Sequence, residues 1–339
     1  MPLPPNDCIL VIHTAFIGDL VLSTSFFSAL RQRHPQAKIL FVTTPAGAEI
    51  FSPNPWNLEF VVYDKRKRDA GLGGFWRLAQ RLRQERPTLS YCLHRSARSS
   101  LLARLAGGEI TGFAEGVGSW LFRHCVSRQG IPFEVEKNLA LLGVSETIFP
   151  HLEVARAAAD SIQKRTERWG KYLVLSPSSV WATKRWPAAA YGELARRVVE
   201  ELRLTVVLVG ANSAEDKAIS ATVAQAAPGG VIDVTGSTSL GELKAIIAGA
   251  ELVVTNDSSP LHIALALGKK AVAIFGPTTK ELGFFPYAPS GQSAVVEHPS
   301  LACRPCGLHG HRVCPQQHFR CMLEIPVSAV YAEVKKLCP

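Results

Sequence analysis

The chain has 339 residues, and its 37 Lys and Arg outnumber 28 Asp and Glu to give a formal net charge of +9. That length favours two domains, while 47% hydrophobic and 19% charged residues exclude a largely disordered protein. Apolar stretches break short of the roughly 18 residues a membrane-spanning helix needs, and the opening MPLPPNDCIL lacks the basic-then-apolar pattern of an export signal, so a soluble cytosolic protein is expected.

In chain order, residues 8–14 (CILVIHT) read as a buried strand, followed by a turn at 15–18 and a helix over 19–34. Leu20, Phe26, Phe27 and Leu30 give that helix its apolar spacing. Further strands are expected at 38–44, 59–64, 89–94 and 109–113, with helices at 74–86 and 98–105. An Ala-, Arg- and Gln-rich segment at 151–170 reads as a linker or interdomain helix. The alternation then restarts, with strands at 172–176, 205–210, 231–234, 252–256 and 271–275. Helices are expected at 188–203, 214–226, 239–248 and 260–267, and a last one at 326–337. Alternation of this kind predicts parallel βαβ units in two doubly wound, Rossmann-like domains facing a central cleft.

The charge is net +5 up to residue 150 and +4 beyond it, so it is no detachable tail. Its densest part is Lys65-Arg66-Lys67-Arg68, followed by Arg77, Arg81, Arg83, Arg86, Arg95, Arg98 and Arg104. These are solvated helix faces or a surface that meets something anionic: nucleic acid, a membrane or a phosphorylated substrate. Four of the eight cysteines cluster as Cys303-x2-Cys306-x7-Cys314-x6-Cys321, near His309, His311 and His318. Zinc, disulfides and free thiols all remain open for them, because the spacing does not repeat a Cys-x2-Cys pair.

Ligands of doubly wound sheets sit beyond the carboxyl ends of the strands. At the first such turn, Gly18 allows a tight turn and Asp19 is either a helix N-cap or a general base. Ser176-Pro-Ser178-Ser179, followed by Trp181-Ala-Thr183-Lys184-Arg185-Trp186-Pro187, supplies hydroxyls and cations suited to phosphate oxygens, or is a loop anchored by its tryptophans. The segment Thr255-Asn256-Asp257-Ser258-Ser259-Pro260-Leu-His262 ends a strand and opens a helix whose N-terminus suits an anion. Asp257 there fits hydroxyls or neighbouring side chains better than a phosphate. Glu215 is an exposed first-turn carboxylate or a ribose acceptor. No Gly-x-Gly-x-x-Gly follows the first strand, and no phosphate-loop ATPase motif occurs.

Together these segments resemble the bacterial ADP-heptose:lipopolysaccharide heptosyltransferases of glycosyltransferase family 9. The likeness is carried by Gly18-Asp19-x-Val21-Leu22, by Lys184-Arg185-Trp186-Pro187, and by Thr235-Gly236 through Thr255-Asn256-Asp257-Ser258 with His262 and Phe275-Gly276-Pro277-Thr278. Cys314-Pro315 and Cys321-Met322 are similar to the tail of the heptosyltransferase II branch. The resemblance implies a GT-B fold with an acceptor domain at 1–160, a nucleotide-sugar domain at 161–325 and a C-terminal helix at 326–339 packing back on the first domain. It implies inverting, metal-independent transfer with no cofactor, from ADP-heptose to a Kdo-lipid A-type lipopolysaccharide acceptor. Under it Asp19 is the base, and Ser178, Ser179, Thr183, Lys184, Glu215, Asp257, Ser258, Ser259 and His262 bind the donor. Gly18, Arg95 and Arg98 face the acceptor, at the cytoplasmic face of the inner membrane. Heptose II onto heptose I is the expected step, with the heptose I or III step, or another nucleotide-sugar donor, as alternatives. A nucleic-acid-binding module with a zinc-bound cysteine cluster is a distant alternative that leaves the paired Rossmann halves unexplained.

Overall fold

A computed structural model describes residues 7–338. The reading of the opening segment as free of an export signal falls largely on residues 1–6, outside the described residues. The chain divides into two units, Met1–Pro150 and His151–Pro339.

The first unit runs β1 (Cys8–Ile12), α1 (Ile17–Leu22), α2 (Thr24–Arg33), β2 (Lys38–Thr43), α3 (Pro45–Ile50), β3 (Leu58–Val62), α4 (Gly71–Gln84), β4 (Leu89–Cys92), α5 (Ala97–Ala106), β5 (Glu109–Phe113), β6 (His124–Val126) and α6 (Glu134–Ala140). Its six strands are parallel in the order β3-β2-β1-β4-β5-β6. Every residue of β1 is buried, as a central strand covered on both faces requires. The single helix expected over 19–34 is two. Ser23 and Thr24 turn their hydroxyls back onto the carbonyls of Leu20 and Val21, both at 2.7 Å, and the helix breaks between them.

The second unit runs α7 (Arg156–Thr166), β7 (Tyr172–Ser176), α8 (Ala188–Leu202), β8 (Thr205–Leu208), α9 (Ala214–Gln225), β9 (Val231–Asp233), α10 (Leu240–Gly249), β10 (Leu252–Asn256), α11 (Ser259–Ala266), β11 (Ala271–Phe275), β12 (Ser293–Glu297), α12 (Arg320–Leu323) and α13 (Val327–Leu337). Its parallel sheet has the order β12-β11-β10-β7-β8-β9, the same winding as the first. In each sheet the connections reverse direction between two central strands, β1 and β4 in one and β7 and β10 in the other. That reversal opens a crevice at the strands' carboxyl ends.

Two boundaries differ from expectation. Residues 151–160 belong to the second unit, because α7 packs on α10. Ser161 donates to Glu242 at 3.1 Å, and Lys244 donates to the Glu153 carbonyl at 2.9 Å. The last helix, expected to pack on the first domain, is built into the second. Val330, Tyr331 and Val334 are buried in its core with Trp186, Leu194 and Val198, and the Tyr331 hydroxyl donates to Glu201 at 2.8 Å.

Candidate active site

In the second unit the crevice at β7 and β10 is built around Asn256, the last residue of β10. Its amide oxygen accepts from the Trp186 backbone N–H at 3.0 Å, and its amide nitrogen donates to the Pro177 carbonyl at 2.8 Å. Trp186 is buried and its indole donates to the Ile325 carbonyl at 3.1 Å. One side chain thereby fixes both ends of the loop that follows β7, and sets the position of Lys184.

Lys184 is buried, and its Nζ donates to Asp257 Oδ2 at 2.5 Å. The same oxygen accepts from Thr278 Oγ1 at 2.7 Å. A buried cation and carboxylate at this separation neutralise each other, which removes the objection that Asp257 would repel a diphosphate. The ammonium carries three N–H groups, of which this contact uses one. Beside the pair, α11 opens at Ser259 with Ser258 as its N-cap residue. Ser258 bonds Thr255 Oγ1 at 3.0 Å and makes no side-chain cap; Pro260 has no N–H and the Leu261 N–H donates to the Ser258 carbonyl at 3.1 Å, which leaves the Ser259 N–H at the start of α11 to another acceptor.

Two buried polar atoms here have no partner, Ser178 Oγ and His262 Nδ1. The His262 ring, expected to bind the donor, is buried on α11. Burial pushes its pKa down to about 4, with Asp257 acting in the opposite direction and Lys184 reinforcing the fall. Ser179 accepts at its carbonyl from Arg185 Nε at 2.7 Å. Arg185 also holds Glu215 through both carboxylate oxygens, one contact at 3.0 Å, and this pairing lowers the Glu215 pKa. Thr183 is turned toward the cysteine segment, exchanging hydrogen bonds with the backbone of His311 at 3.0 and 2.8 Å.

In the first unit Asp19 is the third residue of α1, whose N-cap is Phe16, so Asp19 is not the cap. Gly18 lies inside the helix rather than in a tight turn. Asp19 is half-buried, and its carbonyl accepts from His13 Nε2 at 3.4 Å. The positive end of the helix favours a carboxylate in this turn. Arg95 lies within electrostatic reach of Asp19, and its pKa is lowered by burial and by Arg128. Arg98 approaches the Tyr63 hydroxyl at 3.5 Å.

Sequence reasoning did not single out the polar cluster at the β1 and β4 ends. Lys65 Nζ donates to Thr14 Oγ1 at 2.8 Å, and Thr14 Oγ1 lies 3.0 Å from His94 Nδ1. Burial, with Lys65 and Arg95 adding to it, brings the His94 pKa down to about 4. Burial, with His94 next, takes His13 to about 3. Arg128, bidentate to Glu134 at 3.0 and 2.7 Å, and Lys137, 3.8 Å from the same carboxylate, extend the positive surface. Thr14 and His94 follow β1 and β4, the strands that flank the switch point, which is the one signal that could have found them.

All eight cysteines are free. Cys306 Sγ donates to the Cys303 carbonyl at 2.9 Å, and among the described residues no group of three or more His, Cys, Asp or Glu is arranged to hold a metal. The segment does mechanical work instead. Cys306 N–H donates to the Pro277 carbonyl at 2.9 Å, Arg304 donates to the Thr278 carbonyl at 3.0 Å, and His311 holds Thr183. It therefore braces the two loops that carry Thr278 and Lys184.

Residues 75–310 match the family model for glycosyltransferase family 9 (heptosyltransferase). The chain is 28% identical over 297 residues to lipopolysaccharide heptosyltransferase 2 of Escherichia coli (strain K12), covering 80% of this chain and 84% of that one. Among solved structures, the family 9 glycosyl transferase of Veillonella parvula DSM 2008 superposes with a TM-score of 0.85 at 22% identity, over 100% of this chain and 98% of the other. The E. coli ADP-heptose LPS heptosyltransferase II gives 0.80 at 24% identity, over 97% and 98%. Two doubly wound sheets of identical winding and these neighbours make the fold GT-B. The family match takes in both Lys184 and Asp257, and the chain belongs to glycosyltransferase family 9, the heptosyltransferases.

Proposed function

We propose that the chain transfers L-glycero-D-manno-heptose from ADP-heptose to the inner core of lipopolysaccharide, adding heptose II to heptose I at the cytoplasmic face of the inner membrane. The observation that carries the reading is the Lys184–Asp257–Thr278 cluster beside the uncapped start of α11. The Lys184 ammonium keeps two N–H groups beyond its Asp257 contact, and together with the Ser259 N–H it suits the diphosphate of a nucleotide sugar. Ser178 Oγ and His262 Nδ1, both buried without partners, suit further donor oxygens. Glu215, held by Arg185, keeps lone pairs to accept from the ribose hydroxyls.

Transfer is a single inverting displacement. Asp19 takes the proton of the acceptor hydroxyl as its oxygen bonds the anomeric carbon, while the bond to ADP breaks and Lys184 and the N-terminus of α11 receive the departing charge. Arg95, Arg98 and Lys65 meet the carboxylate and phosphate groups of the acceptor. The test is a donor-by-acceptor matrix with mass detection, using ADP-heptose and other nucleotide sugars against Kdo-lipid A with and without a first heptose. Product formed only from ADP-heptose and the heptosylated acceptor supports the reading. Transfer to the unheptosylated acceptor alone reassigns the step to heptose I.

A further inference from the structure

The densest positive charge of the chain lies in one segment. Between residues 65 and 104 there are eleven Lys and Arg against two acidic residues, Asp69 and Glu85, while the remaining 26 basic and 26 acidic residues cancel. Both acids in the segment are already engaged, Asp69 by Arg68 and Glu85 by Lys38. The segment's own net charge of +9 falls on the loop before α4, on α4, and on the stretch through α5.

That same region exposes large apolar side chains. Leu72, Trp76 and Arg83 lie on one stripe of α4, and Leu101 and Arg104 on one stripe of α5, by helical spacing. The helices pack together, and Arg83 and Arg104 line one open depression with Leu105, so the two stripes face the same way. Leu72 is 77% exposed, Trp76 51% and Leu101 43%. Beside α5, where Ser100 Oγ donates to the Val117 carbonyl at 2.7 Å, the turn Ser119–Leu121 presents Trp120 at 83% exposure.

We propose that this face docks on an anionic lipid bilayer, with Trp76, Trp120, Leu72 and Leu101 entering the interface and Arg83 and Arg104 meeting headgroup phosphates. Cations alone would suit any polyanion. Exposed Trp and Leu among them suit a partner that is charged at its surface and apolar just beneath, which a phosphodiester strand or an acidic protein surface is not. The partner rests on the functional reading above, since a lipid-anchored acceptor brings the enzyme to a membrane; the surface itself rests on charge and exposure.

The experiment is co-sedimentation of the full-length protein with vesicles of phosphatidylglycerol and phosphatidylethanolamine or of phosphatidylcholine, alongside a DNA duplex at the same salt. The expected result is binding to the anionic vesicles only. The pair Leu72→Ser with Trp76→Ser, and the pair Arg83→Glu with Arg104→Glu, should each weaken it at least about tenfold, with Tm and transfer to a lipid-free soluble acceptor unchanged. Equal partition to phosphatidylcholine, preference for DNA, or undiminished binding of both double variants overturns the proposal. Absence of transfer to every acceptor would instead count against the functional reading and leave the vesicle result standing.

Discussion

Lys184 Nζ donates to Asp257 Oδ2 at 2.5 Å across 73 positions of sequence, and both groups are buried. Asp257→Asn leaves that ammonium without its counter-charge. Breaking a buried pair from one side costs about 3–5 kcal/mol, so the variant is expected to unfold at markedly lower denaturant and to lose transfer by about 100-fold. Lys184→Met with Asp257→Leu should recover much of the stability and none of the transfer. Denaturation curves and kcat/KM on the three proteins check this.

Ser178 offers the opposite balance. Its hydroxyl is buried and without a partner, so Ser178→Ala removes an unsatisfied group and should leave stability unchanged or raise it by about 1 kcal/mol. If the hydroxyl meets the donor, the donor KM rises while the acceptor KM holds. A loss of stability with no change in either KM would make the residue structural.

His262 gives a pH dependence with a definite sign. Its folded pKa, near 4, lies below the ordinary 6.5 because burial disfavours the cation. The unfolded chain therefore binds the proton first, and stability present above about pH 6.5 is lost as pH falls toward 4, by about 3 kcal/mol in all. His262→Gln removes this contribution. The fall in Tm between pH 7 and pH 4.5 should be smaller for the variant than for the wild type, and equal falls would contradict the buried neutral ring.

Salt should divide the two substrates. The densest positive charge lies in the first unit between residues 65 and 104, while Lys184, the proposed donor contact, is buried and paired. Screening acts on exposed charges over about 8–10 Å and little on buried ones. Raising ionic strength should lift the acceptor KM more than the donor KM, measured by varying each substrate at saturating concentration of the other.

Much of this was legible in the sequence. The strands β5, β7, β10 and β11 coincide with their expected limits; β7, β10 and β11 do so because each is a short apolar run closed by polar or glycine residues. The missed elements are those with weak patterns. Edge strand β6 has three residues, two of them exposed, and β12 is only half-buried. Helix α3 is six residues long and starts at Pro45 directly after a strand. The candidate residues at strand ends were visible as types, but their pairings were not. Lys184 with Asp257, Arg185 with Glu215, and Lys65 with Thr14 and His94 join loops that only the parallel winding brings together. The expected contacts of Lys184 and Glu215 with a donor therefore have to be read together with the protein partners each already has.

The division of labour between a donor-binding second unit and a base in the first is tested most directly at Asp19. For Asp19→Ala, transfer should fall to background in a mass-detected assay, with ADP-heptose binding by calorimetry the same as wild type. Transfer at the wild-type rate by that variant would contradict it.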